Sequence, residues 1–394
     1  LPPKRTTILL TAIVALAYAL WTMYSGVRMA VDTPTYSRWA DALLGVGFNV
    51  FAYLREQSFV APPLFYLLWV TVVAAMKTLL GSSWMTGIVV LNWIALSLGA
   101  YAIVETVRRL TQSRASMLLV TILLLVAGDL LIFVPYVLSD LIFWALSTGV
   151  LACGTLLAAG NPDEQHSRAG LVVSGSVLIV IAMMFRPVAI PLLIFWLIAI
   201  ASLAAGSWLH RFATPVLVFG VAGAFTAILI HAYVLQNPSA WPIGPLPAML
   251  TLVRDEYRIG MFVHQASPPM LVTPPAGVLG FVRITLEKLM FFITPWLPHY
   301  SSAHAAINMV FFVPVYGLAV AAISNVRRLS PSQRRAVVVL ALFVVLLSVF
   351  HSMLLIDSDH RYRLPLLPAL LMLASIGLES VRRPKTLASI APGK

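Results

Sequence analysis

Residues 359–381 read DHRYRLPLLPALLMLASIGLESV, a tight knot of charge that runs directly into an apolar segment. The segment Leu364 to Leu378 is interrupted only by small residues and proline, and Arg382-Arg383 follow it at the far end. Charge at both mouths of an apolar run of this kind predicts a membrane-crossing helix, because a helix needs about 20 mostly apolar residues to cross hydrocarbon. Ionisable residues are tolerated at such a mouth when something anionic binds there or when they pair with one another.

The rest of the chain repeats this pattern. Of 394 residues, 60% are hydrophobic and 10% are charged, against roughly 25% charged in soluble domains. The blocks predict an all-α polytopic membrane protein of ten spans, at 8–27, 83–107, 115–135, 140–159, 170–185, 188–206, 213–235, 304–324, 336–356 and 365–381. The whole chain, 1–394, reads as one transmembrane domain. The first span follows Lys4-Arg5 and is longer than a signal-peptide core, so it reads as an uncleaved anchor. Cys153 is the single cysteine, which excludes an intrachain disulfide and disfavours redox chemistry.

Orientation follows from lysine and arginine, which concentrate in short cytoplasmic loops. Lys4, Arg5, Arg108, Arg109, Arg114, Arg168, Arg211, Arg327, Arg328, Arg334, Arg335, Arg382, Arg383, Lys385 and Lys394 all fall on one side, 15 of the chain's 26 basic residues. That side is expected to be cytoplasmic and to hold both termini, as in a bacterial inner-membrane protein. The net charge of +12 is accounted for by these turns and by anionic lipid, with no nucleic-acid partner. The block 62–80 has too short an apolar run before Lys77 for a further span. Counting it as one would also move Arg108, Arg109 and Arg114 outside, so it is expected to lie in the first outer loop.

Two outer segments, 28–82 and 236–303, are long while the inner loops are short, so the outer face carries the material for a site and its cover. In VDTPTYSRWADALL, Thr33-Pro34 predicts an N-cap with proline at the first helical position. Tyr36, Ala40 and Leu43 then share the buried face of an amphipathic helix. The second segment holds ten of the 26 prolines, which favour extended backbone. Within it, a stripe of Leu250, Val253, Tyr257 and Met261 is flanked by Arg254 and Arg258, and 281–293 predicts another surface helix.

Asp32, just beyond the first span, has the chemistry of a general base for a hydroxyl. Its plain alternative is a solvated carboxylate beside a helix cap. Asp140, after Pro135 to Ser139, is a second acidic candidate, or a first-turn helix carboxylate. Asp129 lies deeper, where an acid faces a cavity or a partner. Arg361 and Arg363 around Tyr362, and Arg186 before Pro187, offer planar guanidinium groups that match phosphate oxygens. Their alternative is snorkelling to ordinary headgroups. His351, Asp357, Asp359 and His360, and His299 with His304, could supply ligands to a divalent metal, but neither set has a zinc or calcium spacing that supports one. No phosphate-binding glycine loop, nucleophile elbow or HExxH motif is present.

The order of DTPTYSRWADALL, APPLFYLLWV with LLGSSW, VLSDLIFWAL, FRPVAIPLL and HRYRLPLLPALLMLASIGL resembles the GT-C superfamily of integral-membrane glycosyltransferases. The likeness is to bacterial relatives of dolichyl-phosphate-mannose protein mannosyltransferases and lipid A aminoarabinose transferases. It implies inverting transfer of a sugar from a polyprenyl-phosphate donor to a glycan, lipid or protein acceptor on the extracytoplasmic face. Asp32 matches the catalytic acid and Asp140 the second acidic position. Arg361 and Arg363 match the basic end near the donor phosphate, and Tyr36, Arg186, Arg254, Arg258, His360 and Tyr362 are the further substrate-binding candidates. Thr33 stands where many relatives carry a second acidic residue. Two other classes share the basic outer face and greasy groove: a lipid-linked glycan transporter or flippase, and an O-antigen polymerase or ligase using a polyprenyl-diphosphate donor.

Overall fold

The computed structural model describes residues 2–56, 66–160, 165–202, 262–263, 270–271, 277–296, 300–354 and 360–382. The described residues are helical apart from turns and one two-residue antiparallel pair, Phe262–Val263 against Met270–Leu271. The helices are α1 (Lys4–Ser25), α2 (Thr33–Gly45), α3 (Val50–Glu56), α4 (Leu67–Leu80), α5 (Trp84–Thr111), α6 (Arg114–Leu125) and α7 (Gly128–Phe133). They continue as α8 (Asp140–Ala159), α9 (Gln165–Phe185), α10 (Ile190–Ala201), α11 (Gly277–Ile293), α12 (Ser302–Ser324), α13 (Pro331–Leu354) and α14 (Leu367–Arg382). Among the described residues seven helical stretches are long and apolar enough to cross a membrane, the architecture of an all-α polytopic membrane protein.

The helix that follows the charged knot is the centre of the bundle. α14 packs against α12, α13, α5 and α6, and 12 of its 16 residues are buried. Its approach to α12 is close because Gly377 has no side chain: a Cβ there would collide with the carbonyl of Leu318. Small residues at such crossings let two helix backbones touch where lipid supplies no hydrophobic drive. Gly99 of α5 serves α8 similarly, since the indole of Trp144 fills the space a Cβ would take.

Expected spans and observed helices differ at two places. The span expected at 115–135 is interrupted: α6 stops at Leu125, and α7 restarts at Gly128 after Ala127 leaves helical geometry at φ −70°, ψ 87°. The break turns Asp129 toward a partner on the last span, and Ile307 and Asn308 of α12 pack against Gly128. Among the described residues of the span expected at 188–206, the helix is 12 residues long, about 18 Å at 1.5 Å per residue. The span at 213–235 lies outside the described residues.

The block 62–80 forms α4, 14 residues long, about 21 Å and short of a full crossing on its own. A 3₁₀ turn at Gly81–Ser83 joins it to α5, and α4 packs on α2. Lys77 donates to Ser37 Oγ at 2.7 Å and to Asp41 at 2.7 Å, fastening the two. The surface helix expected at 281–293 is α11, starting four residues earlier.

Polar side chains gather at the two ends of the bundle. At the arginine-rich end, Arg108 donates twice to Glu105, at 2.7 and 2.6 Å, and once to the carbonyl of Pro2 at 3.0 Å. Gln333 donates to Leu110 O at 3.0 Å, and Ser116 to Glu379 at 2.7 Å. The other end holds the starts of α2, α8 and α14, and the end of α9.

Candidate functional site

A backbone seam fixes the loop after α1. Arg28 N–H donates to Pro135 O at 2.8 Å, and Val137 N–H returns a bond to Arg28 O at 3.0 Å. Thr33 is the first helical residue rather than the expected cap, because its hydroxyl is committed elsewhere. It accepts from Ala30 N–H at 2.8 Å and donates to Val137 O at 3.0 Å. Asn92 of α5 donates to Tyr136 O at 2.8 Å and steadies the same strand of chain. The seam therefore brings Asp32, at the cap position of α2, alongside the segment that leads into Asp140.

Asp32 does not cap its helix with its side chain. Arg361 Nη1 donates to Asp32 Oδ2 at 2.6 Å, joining positions 329 residues apart. Beside this pair, Arg186 Nη1 donates to Asp140 Oδ1 in a close, buried contact. Arg186 stands at the end of α9 because Pro187 follows it, and a residue before proline is disfavoured in helical backbone. Among the described residues, two carboxylates and two guanidiniums thus sit together.

The two pairs differ in depth. The side chains of Asp140 and Arg186 are 1% and 5% exposed, whereas those of Asp32 and Arg361 are 35% and 14% exposed. The inner pair forms a buried floor, and the outer pair is partly exposed. Burial opposes the charge on Arg186, but the Asp140 carboxylate outweighs it and holds the guanidinium well above its ordinary pKa. Asp140 Oδ2, Arg186 Nε and Ser139 Oγ are buried with no hydrogen-bond partner among the described residues. The floor therefore keeps unused bonding capacity.

Tyr36 packs between the pairs. Burial pushes its phenol well above the usual value, with Tyr66, Asp32 and Asp140 adding to the effect and Arg186 opposing it. It remains a neutral hydroxyl. An aromatic wall surrounds it, with ring centres 5.9 Å away at Trp39, 5.6 Å at Tyr66 and 6.0 Å at Trp69. Arg186 lies 5.8 Å over the Tyr66 ring. Tyr66 falls within APPLFYLLWV, but its place beside Arg186 depends on how α4 docks and had no signal of its own in the sequence.

Arg361 and Arg363 part company. Both lie in a 3₁₀ turn, His360–Leu366, and with about three residues per turn, positions two apart point in divergent directions. Arg363 turns inward, donating to Asp129 at 2.7 and 3.3 Å and to Thr294 O at 2.7 Å, with Phe312 under its guanidinium at 4.4 Å. His304 Nε2 lies 3.7 Å from Asp129 and stacks on Tyr300. This is the partner that Asp129 lacked in the sequence, and it ties the broken span to the last one. Tyr362 sits beneath Arg361 at 5.3 Å and beside His351 at 5.5 Å.

His360 is described only as part of the 3₁₀ turn. Arg254, Arg258, His299, Asp357 and Asp359 lie outside the described residues. Among the described residues no three histidine, cysteine, aspartate or glutamate side chains come together as a metal site would require. The sequence matches no family model, and no curated protein or solved structure matches it.

Proposed function

We propose that this chain is an inverting glycosyltransferase that moves a sugar from a polyprenyl-phosphate donor to an acceptor hydroxyl on the extracytoplasmic face. The observation that carries this reading is the meeting of Asp32 with Arg361, beside Asp140 and Arg186, at the end of the bundle opposite the basic turns. In this reading Asp32 removes the acceptor proton, the acceptor oxygen bonds to the anomeric carbon, and the bond from that carbon to phosphate oxygen breaks. The electron pair leaves on the phosphate, where Arg361 stabilises it. Arg186 and Asp140 hold the polar floor, and the half-buried rings of Trp39 and Tyr66 offer the flat apolar faces on which the C–H side of a sugar packs.

The membrane topology of this proposal has ten crossings. The seven long stretches supply most of them. The interrupted α6–α7 pair, α10 and the apolar segment 213–235 supply the rest. Both termini then lie in the cytoplasm, with the Asp32 end outside and the carrier's tail along the lipid-facing surface.

Membrane fractions given labelled polyprenyl-phosphate sugars test the reading. Asp32→Asn should bind donor without transferring sugar. Arg361→Gln should lose about a hundred- to thousandfold in rate, the usual cost of removing a transition-state charge contact. Full activity in Asp32→Asn would remove the base. Lipid movement across reconstituted vesicles with no glycosidic bond formed would favour a transporter instead.

A further inference from the structure

The salt bridge between Asp32 and Arg361 engages both groups that the transfer needs, and so poses a question of order. At Asp32 Oδ2 a guanidinium N–H, at 2.6 Å, stands where an acceptor hydroxyl would donate. The inner pair is sealed, but the outer one is open enough for a ligand to compete for it. We propose that the Asp32–Arg361 pair is a gate, opened by a lipid phosphate that takes Arg361 and closed again by Asp32. This rests on the glycosyltransferase reading and extends it to the order of events.

The charge balance makes the gate directional. A donor phosphodiester carries a single negative charge, enough to bond Arg361 and leave Asp32 without its guanidinium. Asp32 Oδ2 is then open to the acceptor hydroxyl while donor is bound. On transfer Asp32 takes the acceptor proton and becomes neutral, and at that moment it cannot compete for Arg361. The product is a phosphate monoester of about −1.5 to −2 charge, since its second ionisation lies near pH 6. It holds Arg361 more strongly than the donor did. Asp32 then passes its proton to water and regains its charge, and Arg361 returns to it once the product has diffused away. Arg186 does not take part, because Asp140 neutralises it in the floor.

Binding of farnesyl monophosphate to the full chain in detergent micelles tests the gate without turnover. Asp32→Asn removes the competing charge and should bind the probe about two- to fivefold more tightly than the wild type, the scale of a partly exposed ion pair. Arg361→Gln should weaken binding, and adding Asp32→Asn to it should bring no gain, because the gain runs through Arg361. Asp32→Ser carries the same expectation where the amide variant is unstable. Unchanged or weaker binding in both Asp32 variants would overturn the gate and leave the transferase reading standing. No saturable binding by any of the proteins would overturn both.

Discussion

At the residue scale, two ion pairs built from the same side-chain types do different work because they sit at different depths. Removing one partner of a buried pair strands the other charge and costs about 3–5 kcal/mol, while replacing both with apolar residues is often tolerated. Asp140→Leu should therefore lower thermal stability in detergent by an amount in that range. The double change Asp140→Leu with Arg186→Met should recover most of it. Equal melting of the single and double variants would show that Arg186 does not depend on Asp140. Tyr36 gives a pH test. Its phenol is held above the ordinary value of 10.0, so the fold disfavours the ionised form. The stability this represents is intact below pH 10 and is lost as pH rises beyond it. Tyr36→Phe should flatten the alkaline decline of the melting temperature and leave the neutral value nearly unchanged.

At the element scale, the last helix and the loop after the first decide where the site lies. Gly377→Val would drive a branched side chain into the Leu318 carbonyl of α12. Overpacking a tight contact usually costs 1–3 kcal/mol, and backbone is a less forgiving neighbour than side chain. Size-exclusion profiles of this variant should show loss of the monodisperse peak, and an unchanged profile would mean the two helices do not touch there. The same elements show what was legible in the sequence. The amphipathic face of α2 was, because Thr33, Tyr36, Ala40 and Leu43 are all buried at helical spacing. So was the character of Asp32 and Arg361, as an acid and a base stranded at span mouths. The break at Ala127 was not, because apolar runs flank it on both sides and the groups that meet Gly128 and Asp129 lie far along the chain, on α12 and in the 3₁₀ turn before α14. Nor was the division of labour between Arg361 and Arg363, since a 3₁₀ turn at Pro365 sends neighbouring arginines to separate partners. The partner of Asp129 is 234 residues distant, and no local pattern encodes such a pairing.

At the scale of the whole molecule, the bundle has one end stitched shut and one end built around charge. Glu105, Arg108, Pro2, Gln333 and Glu379 lock helix termini together at the first. Asp32, Arg361, Asp140 and Arg186 occupy the second. If the chain crosses the bilayer as proposed, these ends face opposite compartments, and the single natural cysteine makes this easy to examine. In a Cys153→Ser background, Arg38→Cys places a thiol on the exposed side of α2, and Arg328→Cys places one in the exposed turn between α12 and α13. A membrane-impermeant maleimide should label Arg38→Cys in spheroplasts and reach Arg328→Cys only after the membrane is permeabilised. Labelling of both without permeabilisation would put the acidic cluster and the arginine turns on one face. A sugar carrier presented outside could then not be the substrate that this end of the bundle meets.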